Sequence, residues 1–304
     1  MLSLSEHLAV ANYSRAPPSG RARVQYNRCQ HFKPDEYPHV YCRVIRGVSN
    51  VITLEGKGAL IVGARRVGAV VARRLAEEGV NLAISYRNSA KEAEALRSSV
   101  ASMVQRTALI QADLAIEEDV QRMVETTTKE LGNLSFVLNL ASDYPRTPFD
   151  TLDSKSWDTA MATAKGSYLL AVHAAGAMAK NPGPTRGHIV LFGDWAAGET
   201  PYSDYLPYLT AKAAVHFMTR AFAVELAAKG ILVNAIAPGP TRRPPDISEA
   251  VWEQGVVAQA PLKRESSAAE IAELIVTILR GETMTGETLR VDAGRHLAGP
   301  GNQQ

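Results

Sequence analysis

The chain has 304 residues, 46% hydrophobic and 21% charged, which fits a globular protein large enough to bury one sizeable α/β core. Its formal net charge is only +2, with basic residues scattered rather than gathered in a stripe. That pattern argues against nucleic acid or an anionic membrane as partner and favours a small-molecule substrate.

Residues 1–54 read as an irregular extension, with Pro17-Pro18-Ser19-Gly20, several arginines and no sustained helical or strand period. They lack the apolar core of a secretory signal, and no later run approaches the roughly 18 to 20 apolar residues that span a bilayer, so a cytoplasmic enzyme is expected. Cys29, His31, His39 and Cys42 are zinc-capable types, but the Cys-x-His and His-x-x-Cys spacing matches no common finger and no metal is expected. Both cysteines precede residue 50, so the following domain carries no disulfide.

From Gly58 short apolar runs alternate with amphipathic stretches. Ala59–Val62 is expected as a buried strand, Val67–Glu78 as a helix ending at Gly79, and Val80–Tyr86 as a second strand. Further strands are expected at Ala108–Gln111, Phe136–Asn139, His188–Phe192, Leu232–Ile236 and Thr288–Val291, with helices between them. The pattern predicts a single Rossmann-type, doubly wound, parallel seven-stranded sheet with helices on both faces over residues 55–304.

The turn after the first strand reads Ile61-Val62-Gly63-Ala64-Arg65-Arg66-Val67-Gly68-Ala69. Glycines there let backbone approach a dinucleotide pyrophosphate, and the next helix offers free N–H groups and a positive dipole end. After the second strand comes Ser85-Tyr86-Arg87-Asn88-Ser89, where an NAD-specific site would carry an acid. Arg87, helped by Arg65, suits a 2′-phosphate, so NADPH is the expected cofactor; the alternative is that both are solvated surface charges. Asp113, followed by Leu114, would accept from the adenine amino group or else cap a helix beginning near Ala115.

Tyr208-Leu209-Thr210-Ala211-Lys212 opens a helical stretch to about Lys229, and the four-residue spacing puts phenol and ammonium on one face. A phenol with a pKa of about 10 is a poor acid or base near neutrality, and a neighbouring ammonium lowers it. Spacing alone is weak, because Tyr-x-x-x-Lys is common in helices by chance.

The cofactor turn, Asn139-Leu140-Ala141-Ser142, Tyr208 with Lys212, Pro238-Gly239-Pro240-Thr241, and Thr285-Gly286-Glu287 with Val291-Asp292-Ala293-Gly294 occur in an order that resembles the short-chain dehydrogenase/reductase superfamily. Within it the chain is most similar to pteridine and dihydromonapterin reductases. That closer likeness rests on Arg65-Arg66-Val67-Gly68, Ser85-Tyr86-Arg87, Ala141-Ser142-Asp143-Tyr144, Asp194, and Pro261-Leu262 leading to Arg264-Glu265-Ser266-Ser267-Ala268-Ala269-Glu270. The resemblance implies Tyr208 as proton donor, Asp194 as the group that positions it, and Lys212 as the residue that holds the nicotinamide ribose and lowers the tyrosine pKa. It implies cofactor contacts from Gly63, Arg65, Arg66, Val67, Gly68, Tyr86, Arg87, Asn88, Ser89, Asp113, Leu114, Asn139, Ala141, Ser142, Pro238 and Gly239. Substrate would meet Arg66, Ser142, Tyr144 and Trp195, with Tyr144 stacking on a pterin. A homotetramer is also implied.

The sequence departs from the superfamily pattern at three places. The first turn glycine is missing or displaced to Gly63, the paired asparagines become Asn139-Leu140, and the helical asparagine becomes Thr163 or Ala164. The expected reaction is NADPH-dependent hydride transfer to a pterin-like C=N bond. Reduction of a ketone or 3-oxoacyl thioester is the alternative, and a catalytically weak NADPH-binding sensor or scaffold is the alternative of another class. Trp157, His173 and His216 are expected as helix packing or structural groups, and Arg242 to Gln259, with Trp252, as a segment covering substrate.

Overall fold

The computed structural model describes residues 51–243 and 247–298. Most of the extension, with Cys29, His31, His39 and Cys42, lies outside the described residues, as do Pro244 and Pro245. The strands are β1 (Gly58–Val62), β2 (Asn81–Tyr86), β3 (Thr107–Gln111), β4 (Phe136–Asn139), β5 (Gly187–Phe192), β6 (Ile231–Pro238) and β7 (Thr288–Val291). They form one parallel sheet in the order β3-β2-β1-β4-β5-β6-β7. The seven strands match those expected from sequence to within one or two residues.

The helices are α1 (Val67–Glu77), α2 (Ala90–Val100), α3 (Glu117–Leu131), α4 (Ser154–Met178), α5 (Leu206–Ala227), α6 (Glu249–Gly255) and α7 (Ala268–Arg280). Successive strand residues point to opposite faces. Ala59 and Ile61 therefore pack in one core with Val71 and Leu75 of α1, Leu96 of α2 and Ile271 and Ile275 of α7. Leu60 and Val62 enter the other core with Val120 and Met123 of α3, Leu170 of α4 and Val215 of α5. This double covering explains why the strands are continuous apolar runs rather than alternating ones.

Strand order reverses between β1 and β4, and in open parallel sheets that point leaves a crevice beyond the carboxyl ends of the strands. Val62, Asn139, Phe192 and Pro238 all end on that edge. Among the described residues no helix is long and apolar enough to cross a membrane, and no cluster of three or more metal-ligating side chains occurs.

Candidate active site

Gly63 follows β1 with φ +97°, a conformation natural to glycine, and a Cβ on it would lie 2.8 Å from the Ala141 amide nitrogen. A Cβ on Gly68 would meet the Gly63 carbonyl oxygen at 1.8 Å. Both positions therefore require glycine, and Gly63 serves as the displaced first glycine of the turn. Arg66 is the N-cap of α1 at φ 53°, without a side-chain cap, and Val67 begins a first turn that holds no acid. The positive end of α1 is thus uncompensated, and Arg65 and Arg66 are exposed beside it. This bare, basic, glycine-walled turn fits a dinucleotide pyrophosphate.

At the neighbouring strand end Tyr86 is half-buried while Arg87 and Asn88 are exposed. Arg65 donates to Ser89 Oγ at 3.5 Å, Gln111 holds the Arg87 carbonyl at 3.1 Å, and the Arg87 guanidinium lies 3.4 Å from Asp143. Asp113 accepts from the Ala115 amide at 3.0 Å, so its carboxylate shapes the turn that leads into α3, which starts at Glu117. Leu114 packs on Gly166 of α4, where a Cβ would meet it at 2.7 Å.

Asn139 is buried and donates to Ser167 Oγ at 2.9 Å, and Ser167 donates to the Thr163 carbonyl at 3.0 Å. It ties the β4 end to α4, leaving Ala141 and Ser142 on the crevice side with Ser142 exposed. Of the two residues in the helical-asparagine slot, Thr163 lines a cavity of about 10 Å³ with Tyr208 and Lys212, whereas Ala164 is buried against Ala160 and Ala211.

Asp194, Tyr208 and Lys212 come together although two are on α5 and one follows β5. Tyr208 Oη donates to Asp194 Oδ2 at 2.8 Å, and Lys212 Nζ donates to the Phe192 carbonyl at 2.8 Å. The Ala196 amide donates to Asp194 Oδ1 at 2.9 Å, and the Asp194 amide donates to His216 Nε2 at 3.3 Å. Gly193 makes this approach feasible, since a Cβ there would sit 2.0 Å from His216 Nε2. Burial pushes the His216 imidazole down to about 4, which keeps Nε2 an acceptor.

Burial raises the Asp194 carboxyl against the pull of its hydrogen bonds and of Lys212. The Lys212 ammonium, fully buried, is lowered to about 8. Tyr208 corrects the sequence expectation: burial, then the Asp194 charge, drive its phenol well above 10. Lys212 Nζ, 5.9 Å from the ring centroid and committed to a carbonyl, does not offset them. Tyr208 therefore stays protonated across the neutral range.

Over Tyr208 stands an aromatic wall. Tyr144 meets it edge-on with centroids 4.9 Å apart, stacks on Tyr205 at 4.4 Å, and its hydroxyl lies 3.0 Å from that of Tyr202. The loop carrying Tyr144 is clasped by Arg146, which makes two bonds of 3.0 and 2.6 Å to Asp204. Tyr202 and Tyr205 were not singled out from sequence, although the three-residue spacing of Tyr202, Tyr205 and Tyr208 was a usable signal.

Trp195, next in the chain after Asp194, is buried, stacked on Tyr202 at 5.9 Å with the Arg295 guanidinium 5.4 Å from its ring, and so supports the wall. The Pro238 carbonyl accepts from the Trp195 amide at 3.2 Å. Gly239 passes so close to Asp292 that a Cβ would meet its Cα at 2.7 Å. In the expected covering segment α6 buries Trp252, whose indole N–H donates to Glu265. Trp157, expected to pack, is instead 47% exposed on α4.

Residues 63–296 match the protein family described as enoyl-(acyl carrier protein) reductase. The 3-oxoacyl-[acyl-carrier-protein] reductase FabG of Staphylococcus aureus is 28% identical over 247 residues, covering 79% of this chain and 98% of the relative. A short-chain dehydrogenase from Burkholderia cenocepacia, solved in complex with NADP, is 29% identical with a TM-score of 0.71, covering 80% of this chain and 99% of the other. The FolM alternative dihydrofolate reductase 1 of Brucella suis, also in complex with NADP, is 29% identical with a TM-score of 0.72, covering 79% of this chain and 95% of the other.

Proposed function

We propose that this chain, which belongs to the short-chain dehydrogenase/reductase superfamily, is an NADPH-dependent reductase of a pterin-like C=N bond. Gly63, Arg65, Arg66, Val67 and Gly68 would hold the pyrophosphate, with Arg87, Asn88 and Ser89 at the 2′-phosphate. Tyr86, Asp113, Leu114, Asn139, Ala141, Ser142, Pro238 and Gly239 would frame the rest of the dinucleotide. When bound, the reduced nicotinamide supplies the hydride.

The observation that carries the pterin reading is Asp194 bonded to Tyr208 at 2.8 Å beneath the Tyr144 ring. Tyr208 Oη would give its proton to the substrate nitrogen and take one back from solvent, with Asp194 Oδ2, its hydrogen-bond acceptor at 2.8 Å, holding the phenol in position. Lys212, anchored on Phe192, would present its ammonium to the ribose. Tyr144 supplies a flat face for a flat ring, with Arg66 and Ser142 at its polar edge.

A second reading, reduction of a 3-oxoacyl thioester, is favoured by the similarity to FabG. The same Tyr208 would then protonate an alkoxide. The exposed apolar residues Tyr168 and Val172 on α4 and Phe217 and Val224 on α5 support assembly into a homo-oligomer, in line with the tetramer implied by the resemblance.

The test is NADPH oxidation by the purified chain with dihydrobiopterin, dihydrofolate and a 3-oxoacyl thioester in parallel, alongside Tyr208→Phe and Asp194→Ala. Pterin turnover abolished by both substitutions is the expected result. Turnover of the thioester alone would move the chain to the second reading, and NADPH binding without turnover would make it a sensor.

A further inference from the structure

We propose that Asp143 is a specificity-determining residue for the cofactor, competing with the 2′-phosphate of NADPH for the Arg87 guanidinium. The inference rests on the NADPH reading above. Arg87 directly follows β2, and its backbone is held by the Gln111 side chain at 3.1 Å, so only its side chain is free to choose a partner. That side chain crosses the edge of the sheet to Asp143, with Nη2 3.4 Å from Oδ2. Asp143 follows directly on Ala141 and Ser142, in the loop after β4. The β2 end and this loop flank β1 in the sheet and so converge on the crevice where the dinucleotide is placed.

A carboxylate and a phosphate monoester offer an arginine fork the same chemistry, acceptor oxygens with negative charge. One exposed guanidinium cannot serve both in full, and the two anions repel each other when brought onto it. The side chains of the pair are 52% and 70% exposed, which makes the contact weak and readily exchanged. NADPH must displace Asp143, whereas NADH, with no 2′-phosphate, need not. Asp143 thus penalises NADPH alone and narrows the discrimination that Arg87 creates.

The experiment is a titration of the full chain and of Asp143→Asn with NADPH and with NADH, following the fluorescence of the reduced nicotinamide, and repeated with Arg87→Ala as the parent. The exposed position of Asp143 makes the substitution safe for folding. Removing the charge is expected to tighten NADPH about threefold, the scale of an exposed ion pair, with NADH unchanged, and to alter neither affinity in the Arg87→Ala parent. A change in the NADPH-to-NADH affinity ratio below about twofold, or the same change without Arg87, would overturn the competition while leaving NADPH binding intact. Failure of NADPH to bind the unaltered chain would instead remove the cofactor reading itself.

Discussion

His188 offers a test of the fold that does not depend on the substrate. It lies on β5, is 1% exposed, and neither ring nitrogen has a hydrogen-bond partner among the described residues. Burial, with the Lys57 ammonium as a second cause, lowers its imidazole from 6.5 to about 4. Between those two values the unfolded chain binds a proton that the folded chain refuses, so stability rises with pH through the window and is lost as pH falls through it. A gap of about 2.5 at about 1.36 kcal/mol per pH unit amounts to roughly 3 kcal/mol. Most of that is gone by about pH 4.5.

His188→Leu removes the titration and two unpartnered polar atoms, so at neutral pH the variant should lie within about 1 kcal/mol of the parent, or above it. Urea unfolding of both proteins at about pH 7 and about pH 4.5 reads the effect as a difference of differences. The parent should lose roughly 2 to 3 kcal/mol more than the variant on acidification. Parallel losses would refute the reasoning, because they would mean that folded His188 accepts the proton.

Three further outcomes follow from the site. Tyr208→Phe should cut turnover by about 10²- to 10⁴-fold while the NADPH Kd stays within about threefold; loss of binding as well would refute a proton-donor role. Gly193→Ala places a methyl 2.0 Å from His216 Nε2, so the imidazole must retreat and leave the Asp194 amide without its acceptor. A cost of about 1–3 kcal/mol in urea unfolding is expected, and an unchanged midpoint would show that the ring yields freely. Arg87→Ala should weaken NADPH by about 10- to 100-fold and leave NADH as it was, whereas equal weakening of both would show that Arg87 is not read by the 2′-phosphate.

Much of the architecture was legible before any coordinates. Strands buried on both faces appear as unbroken apolar runs, and the glycines that end helices or open the cofactor turn sit at fixed places in the chain. Lys212 and Tyr208 share a helix face by spacing alone. The turn was harder, because a one-residue displacement of its first glycine changes the alignment but not the chemistry. Only the approach of Gly63 to Ala141 shows where the glycine is required.

Local sequence determined which segments become strands and helices, because burial period and glycine placement act within a few residues of each other. What it could not determine was the balance of fields at a point where distant segments meet. Tyr208 illustrates this: the chain shows Lys212 four residues away, while the acid bonded to the phenol is Asp194, fourteen residues earlier, just after β5. The Tyr144, Tyr202 and Tyr205 wall, the Arg146–Asp204 clasp and the Arg87–Asp143 pair likewise join segments that sequence leaves apart. Desolvation and Coulomb forces depend on distance in space, so the protonation of the site was decided only when the sheet brought these residues to one edge.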